Sequence, residues 1–197
     1  MKNKWNERYS SDEYFYGTEP NDFLKEEIEK LKPGKALFIG EGEGRNSVYA
    51  ATLGWKVDCI DTSYVGKEKA IKLANHKNVK INYEIGDALI YNYAVESYDA
   101  VVMIYFHVEK KLRGGFNQNI INSLRKNGSI ILLIYDEDHL KNNSNGPKEI
   151  KLLYKLSEIA EDFIDFEFST FVKENLERIK KGVQQTSTII KFVGKKV

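Results

Sequence analysis

One cysteine, Cys59, stands among 197 residues. A single thiol excludes an intrachain disulfide and a thiolate metal cluster. Its place inside an apolar segment reads as a small buried hydrophobe. No apolar stretch approaches the ~20 residues of a membrane helix, and no signal-like leader opens the sequence. A soluble, cytoplasmic protein is therefore expected, with no membrane partner. Charge of one sign is also missing. Lys+Arg number 30 against 29 Asp+Glu, a net charge of +1, so no overall electrostatic case exists for nucleic acid. No internal repeat or second domain is visible. Length and ordinary composition fit one α/β domain spanning residues 1–197.

What is present centres on Ala36 to Asp61, ALFIGEGEGRNSVYAATLGWKVDCID. Ala36 to Ile39 is an unbroken apolar run, as in a strand buried on both faces. Gly40, Gly42 and Gly44 follow at alternate positions. Arg45 to Leu53 suits a helix, closed by Gly54. Val57 to Ile60 is a second strand, ending in Asp61-Thr62-Ser63. Glycines allow a sharp turn and close approach of a ligand, the helix start offers free N–H groups, and a carboxylate at the second strand's tip can accept bonds from ribose hydroxyls. Dinucleotide sites usually read G-x-G-x-x-G; here the spacing is G-x-G-x-G. Glu41 and Glu43 in the turn repel a pyrophosphate and suit a ligand carrying an ammonium and a sulfonium. Charge and spacing together favour S-adenosylmethionine.

Trp5, Tyr9, Tyr14, Phe15 and Tyr16 crowd the N-terminal arm, residues 1–21, with Arg8 among them. The arm either packs aromatics on the domain or covers a ligand, since aromatic faces suit a sulfonium. Asn21 or Asp22 caps a helix to about Lys32. A helix is expected from Tyr64 to about Asn75, with His76 in the loop beyond. Val79 to Ile85 alternates as a strand, and Asp87 at its exit can meet an adenine amino group. Tyr98 to Ile104 is a buried strand ending in Tyr105-Phe106-His107. His107 is a general base, a substrate hydrogen-bond partner or a packed histidine. Leu112, Phe116, Ile120 and Leu124 recur every four residues as a helix stripe, with Gly114-Gly115 delaying or bending it and Asn127-Gly128 closing it. Ser129 to Tyr135 is a fifth strand. Asp136 to Pro147 is a substrate loop or a plain solvent loop. Leu152, Leu153, Leu156 and Ile159 suggest a short helix. Ile164 to Phe168 and Ser187 to Val193 alternate as a hairpin around Lys180-Lys181-Gly182.

The sequence resembles class I S-adenosylmethionine-dependent methyltransferases, most of all a small bacterial and archaeal group similar to tellurite-resistance enzymes and, more distantly, thiopurine methyltransferases. The residues that carry this are Trp5, Glu7, Arg8 and Tyr9; Tyr16, Gly17, Pro20 and Asn21; Glu41 to Asn46; Asp61; Asp87; and Asn145-Gly146-Pro147. The resemblance implies a Rossmann-like, doubly wound, seven-stranded and mainly parallel sheet whose C-terminal hairpin makes the last strand antiparallel. It also implies S-adenosyl-L-methionine as cofactor and S-adenosyl-L-homocysteine as product. The expected cofactor-binding residues are Tyr16, Gly40, Glu41, Gly42, Gly44, Asn46, Asp61, Thr62, Asp87, Ala88 and Ile104. Trp5, Arg8 and Tyr9 are expected at the substrate, and His107 and Tyr105 as the catalytic candidates.

One departure stands out: Phe38 occupies the position where most of these enzymes carry an acid that fixes the cofactor's methionine end. Glu41 is the expected electrostatic replacement. The expected reaction is in-line methyl transfer to a small-molecule acceptor. A thiolate or metalloid oxyanion needs no base; a protonated oxygen or nitrogen can need one. A dinucleotide-dependent oxidoreductase and a non-catalytic cofactor-binding sensor are the alternatives.

Overall fold

The computed structural model describes residues 4–142, 146–180 and 183–197. The apolar run at 36–39 lies in β1 (Lys35–Ile39). Its side chains part by the two-residue period of a strand. Leu37 and Ile39 join a core layer with Phe116, Ile120 and Ile159, while Ala36 and Phe38 join the opposite layer with Leu24, Ile28 and Ala70. Both faces are therefore dry, which is why no polar residue interrupts the run.

Parallel pairing joins β1 to β2 (Lys56–Asp61) and β4 (Tyr98–Ile104), β2 to β3 (Asn82–Ile85), and β4 to β5 (Leu124–Tyr135). The terminal hairpin, β6 (Phe166–Lys180) and β7 (Val183–Lys196), adds β7 antiparallel to β5. Strand order is β3-β2-β1-β4-β5-β7-β6, the expected seven-stranded sheet. The order reverses between β1 and β4, so the crevice at their carboxyl ends is the place where such sheets bind ligands. Six α-helices accompany the sheet among the described residues: α1 (Lys4–Arg8), α2 (Asp22–Ile28), α3 (Arg45–Thr52), α4 (Tyr64–His76), α5 (Lys110–Ser123) and α6 (Leu156–Asp162). No helix among the described residues is long and apolar enough to cross a membrane.

Several local expectations need correction. β3 starts at Asn82 because Asn78 turns with φ 56° and the Val79 N–H bonds back to Ala74 O. Val79 and Ile81 then pack on Leu73 and Ala74 rather than extending the ladder. His76 ends α4 instead of following it. α5 runs unbroken through Gly114 and Gly115, and a side chain at either would meet open space. Its buried stripe is Arg113, Phe116, Asn117 and Ile120; Leu112 is exposed. The helix stops at Ser123, and Leu124 pairs with Tyr98 before an irregular excursion to the Ala100–Ser129 register. Residues 136–142 are not a plain solvent loop: Glu137–Lys141 form a 3-10 turn, and Asp136 and His139 are buried. Asn145 of the Asn-Gly-Pro motif and Lys181-Gly182 of the hairpin turn lie outside the described residues.

Candidate cofactor and methyl-transfer site

The site is built first by the turn between β1 and α3. Gly42 has φ 63° and Gly44 φ 87°, a region L side chains avoid. A Cβ on Gly42 would lie 2.5 Å from Tyr9 Oη, and one on Gly44 2.5 Å from Ala70 Cβ. The turn is therefore bare backbone, with the arm and α4 packed against it.

Asp61 ends β2 facing this turn. Its Oδ2 accepts the Gly42 N–H at 3.0 Å and its Oδ1 the Ser63 N–H at 2.8 Å. Burial raises its carboxyl above the ordinary value, while those amides pull it back. Thr62 continues the chain past Asp61. Tyr83, inward on β3, donates its hydroxyl to Gly42 O at 2.7 Å. That residue was missed in the sequence, where it reads only as the inward member of an alternating strand.

The two turn glutamates are spent differently from each other. Glu41 Oε1 accepts the Asn46 and Ser47 N–H groups at 3.0 and 2.7 Å, so it caps α3 where the dipole favours a carboxylate. Burial nevertheless pushes its carboxyl up to about 7. Glu43 is buried; it pairs with Lys69 at 2.7 Å and accepts the Phe15 N–H at 2.8 Å. Glu43 thus faces the arm, and Lys69 neutralises it.

The arm is tied down along its length. Asn6 Oδ1 accepts from Ser63 Oγ and the Val65 N–H. Tyr14 donates to Lys69 O, and the Asn21 N–H donates to Asn46 Oδ1 at 2.9 Å. Asn46 is buried and holds the arm's end. Tyr9 is buried on the turn, and desolvation together with Asp61 keeps its phenol protonated. Further out, the Arg8 guanidinium lies 4.9 Å from the Trp5 ring and 5.2 Å from Phe15, and it donates to Tyr16 Oη at 3.3 Å. Asn6, Glu43 and Lys69 carried no local signal as arm anchors, because their partners are 26 to 59 residues away.

At the exit of β3, Asp87 is exposed and its Oδ1 accepts the Leu89 N–H at 2.9 Å, while Ala88 is buried. At the exit of β4, Ile104 is half-buried and Tyr105 adopts φ 59°, an uncommon backbone for an aromatic residue. Tyr105 and His107 both stack on Tyr135 at the end of β5, with ring centroids 5.0 and 5.4 Å away. His107 Nδ1 lies 2.9 Å from Leu152 O. A carbonyl can only accept, so Nδ1 carries the proton and Nε2 keeps its lone pair. Nε2 is buried without a hydrogen-bond partner among the described residues. Burial lowers the imidazole to about 4, so it is neutral at physiological pH. The structure thus gathers the residues expected around Gly40–Asp61, places Asp87 and Ala88 one strand further, and sets Tyr105 and His107 across the crevice.

This sheet order with a reversed terminal strand, above a glycine turn, defines a Rossmann-like α/β fold. Residues 36–128 match the family model described as a methyltransferase domain. No curated protein sequence matches the chain. Among solved structures, TehB from Haemophilus influenzae superposes with a TM-score of 0.77 at 18% identity, over 98% of this chain and 66% of that one. An S-adenosylmethionine-dependent methyltransferase from Methanosarcina mazei gives 0.64 at 17%, over 91% and 99%. One from Clostridium acetobutylicum gives 0.63 at 13%, over 86% and 89%. At such identities these likenesses establish the fold, and the TehB likeness agrees with the resemblance drawn from the sequence. Residues 36–128 thus match a methyltransferase domain, and the chain as a whole shares the fold of S-adenosylmethionine-dependent methyltransferases.

Proposed function

We propose that the protein methylates a small-molecule acceptor, a thiol or a metalloid oxyanion or a similar nucleophile, and acts neither on nucleic acid nor at a membrane. Residues 1–197 work as one domain, with the N-terminal arm as the cover over both ligands. The observation that carries this reading is the Asp61 carboxylate, half-buried at the tip of β2 and hydrogen-bonded to the Gly42 N–H of the glycine turn. A carboxylate at the tip of the second strand beside such a turn suits a ribose diol.

In this reading Gly40, Gly42 and Gly44 form the cradle, Asp61 and Thr62 take the ribose hydroxyls, and Asp87 and Ala88 the adenine edge. Glu41 supplies negative charge at the amino-acid end, Asn46 fixes the arm, and Ile104 floors the crevice. When bound, S-adenosylmethionine supplies a methyl group already activated by its sulfonium. The chain then has to align the acceptor and exclude water, which is the task of Tyr9, Tyr16 and Trp5. His107 supports proton acceptance at Nε2, because its tautomer is fixed by Leu152 O and the imidazole stays neutral. Tyr105 borders the same space.

The test is S-adenosylhomocysteine release during incubation with S-adenosylmethionine and separate thiol, oxyanion and amine pools. Turnover by wild type that His107→Gln abolishes only for protonated acceptors supports the assignment. Turnover insensitive to His107→Gln with every pool contradicts the base role.

A further inference from the structure

The rim of the glycine turn carries two guanidinium groups that form no ion pair among the described residues, although Arg45 lies within the field of Glu41. The structure describes the side chains of four arginines: Arg8, Arg45, Arg113 and Arg125. Arg113 pairs with Glu158 and Arg125 with Asp99. Arg8 and Arg45 meet no carboxylate among the described residues, and both converge on Tyr16. Arg8 donates to the Tyr16 hydroxyl; Arg45 donates to Tyr16 O at 3.2 Å and lies 5.7 Å from its ring centroid. Each guanidinium spends one of its five N–H donors there. The arm that brings them together is fixed to the turn by Phe15 N–H on Glu43 and by Tyr9 against Gly42.

The opposite charge at this place is already committed. Glu43 is taken by Lys69, and one Glu41 oxygen by the start of α3. Phe38, in the position where an acid is usual, is fully buried among apolar side chains. The rim therefore offers two open guanidinium forks braced by aromatic rings, a geometry suited to bidentate carboxylate recognition. We infer that Arg8 and Arg45 form a carboxylate-binding pair across Tyr16. This rests on the methyl-transfer reading, in which the amino-acid end of the cofactor is one source of a carboxylate; a carboxylate on the acceptor is the other source of the same chemistry. With Phe38 in place of the acid, anchoring of the cofactor's tail shifts from its ammonium toward its carboxylate.

The test is calorimetric titration of wild type and the Arg8→Gln/Arg45→Gln variant with S-adenosylhomocysteine, with 5′-methylthioadenosine, which lacks the amino-acid end, and with benzoate on the S-adenosylhomocysteine complex. Thermal melts confirm that the variant folds. The expected result is at least a tenfold loss for S-adenosylhomocysteine with methylthioadenosine unchanged. Unchanged S-adenosylhomocysteine with lost benzoate binding assigns the pair to an acceptor's carboxylate instead. Equal weakening of both nucleosides, or no change with any probe, overturns the pair. If neither nucleoside binds wild type, the methyl-transfer reading fails, and benzoate titrated into the free protein, wild type against variant, still decides the pair.

Discussion

The two halves of the sheet's carboxyl edge are held by different kinds of contact. On the β1–β2 side the turn is closed mainly by bonds short in sequence: Glu41 to Asn46 spans 5 residues and Gly42 to Asp61 spans 19, with the Tyr83 bond to Gly42, spanning 41, as the long exception. On the β4–β5 side the fixing bonds are long: Arg113 to Lys151 spans 38, His107 to Leu152 spans 45, and Val108 to Tyr154 spans 46. The first half is a motif and the second an assembly, so one failed contact should cost the second half more.

The sharpest break of that comparison is Arg113→Met. The buried guanidinium donates to Val108 O, Lys151 O, Leu153 O and Glu158, and stacks 3.5 Å from the Tyr154 ring centroid. Its loss strands several buried acceptors and should cost about 3–5 kcal/mol in urea unfolding. A loss under 1 kcal/mol would show that the β4–β5 side does not depend on it. Glu43→Gln comes next, because it leaves Lys69 nearly buried without its counter-charge. About 2–3 kcal/mol should be lost, with Trp5 fluorescence and limited proteolysis reporting release of the arm; an undisturbed arm would contradict the anchor.

A smaller and opposed pair of effects separates the halves by pH. Glu41's carboxyl is raised from 4.5 to about 7. Its stabilising contribution is full below the unfolded value and is lost as pH rises through about 7. His107 is lowered from 6.5 to about 4. Its contribution is full above 6.5 and is lost as pH falls through about 4. Between the two the slopes oppose, each at most about 1.4 kcal/mol per pH unit. Glu41→Gln should leave stability rising with pH from 4.5 to 6.5, and His107→Gln should leave it falling. Parallel profiles for both variants would refute the opposition. The smallest expected effect lies outside both halves: Gly114→Ala, pointing into open space on α5, should add about 1 kcal/mol, and destabilisation there would mean the helix is strained at the glycine pair.

The same contrast explains what could be read in advance. Gly40 to Asp61 was legible because a strand, a turn and a carboxylate sit within one local unit whose chemistry depends on spacing. The terminal hairpin was legible from alternation. Arg113 was not, since a lone arginine on a helix reads as solvated until Leu153 and Lys151 arrive from forty residues on. Glu43 was read as a ligand-facing charge, but Lys69 and the Phe15 amide claim it. Leu112 was placed in the helix stripe because periodicity cannot tell which of two adjacent faces the sheet covers; Arg113 took that face.

In the proposed reading, Gly42 and Asp61 form the S-adenosylmethionine site. It is tested most directly by calorimetry of wild type and Asp61→Ala with S-adenosylhomocysteine and NADH in parallel. Wild type should bind S-adenosylhomocysteine and not NADH, and Asp61→Ala should bind S-adenosylhomocysteine at least tenfold more weakly, as loss of charge-assisted bonds of about 1.5–3 kcal/mol each requires. Binding of NADH alone, or equal S-adenosylhomocysteine affinity in the two proteins, would contradict it.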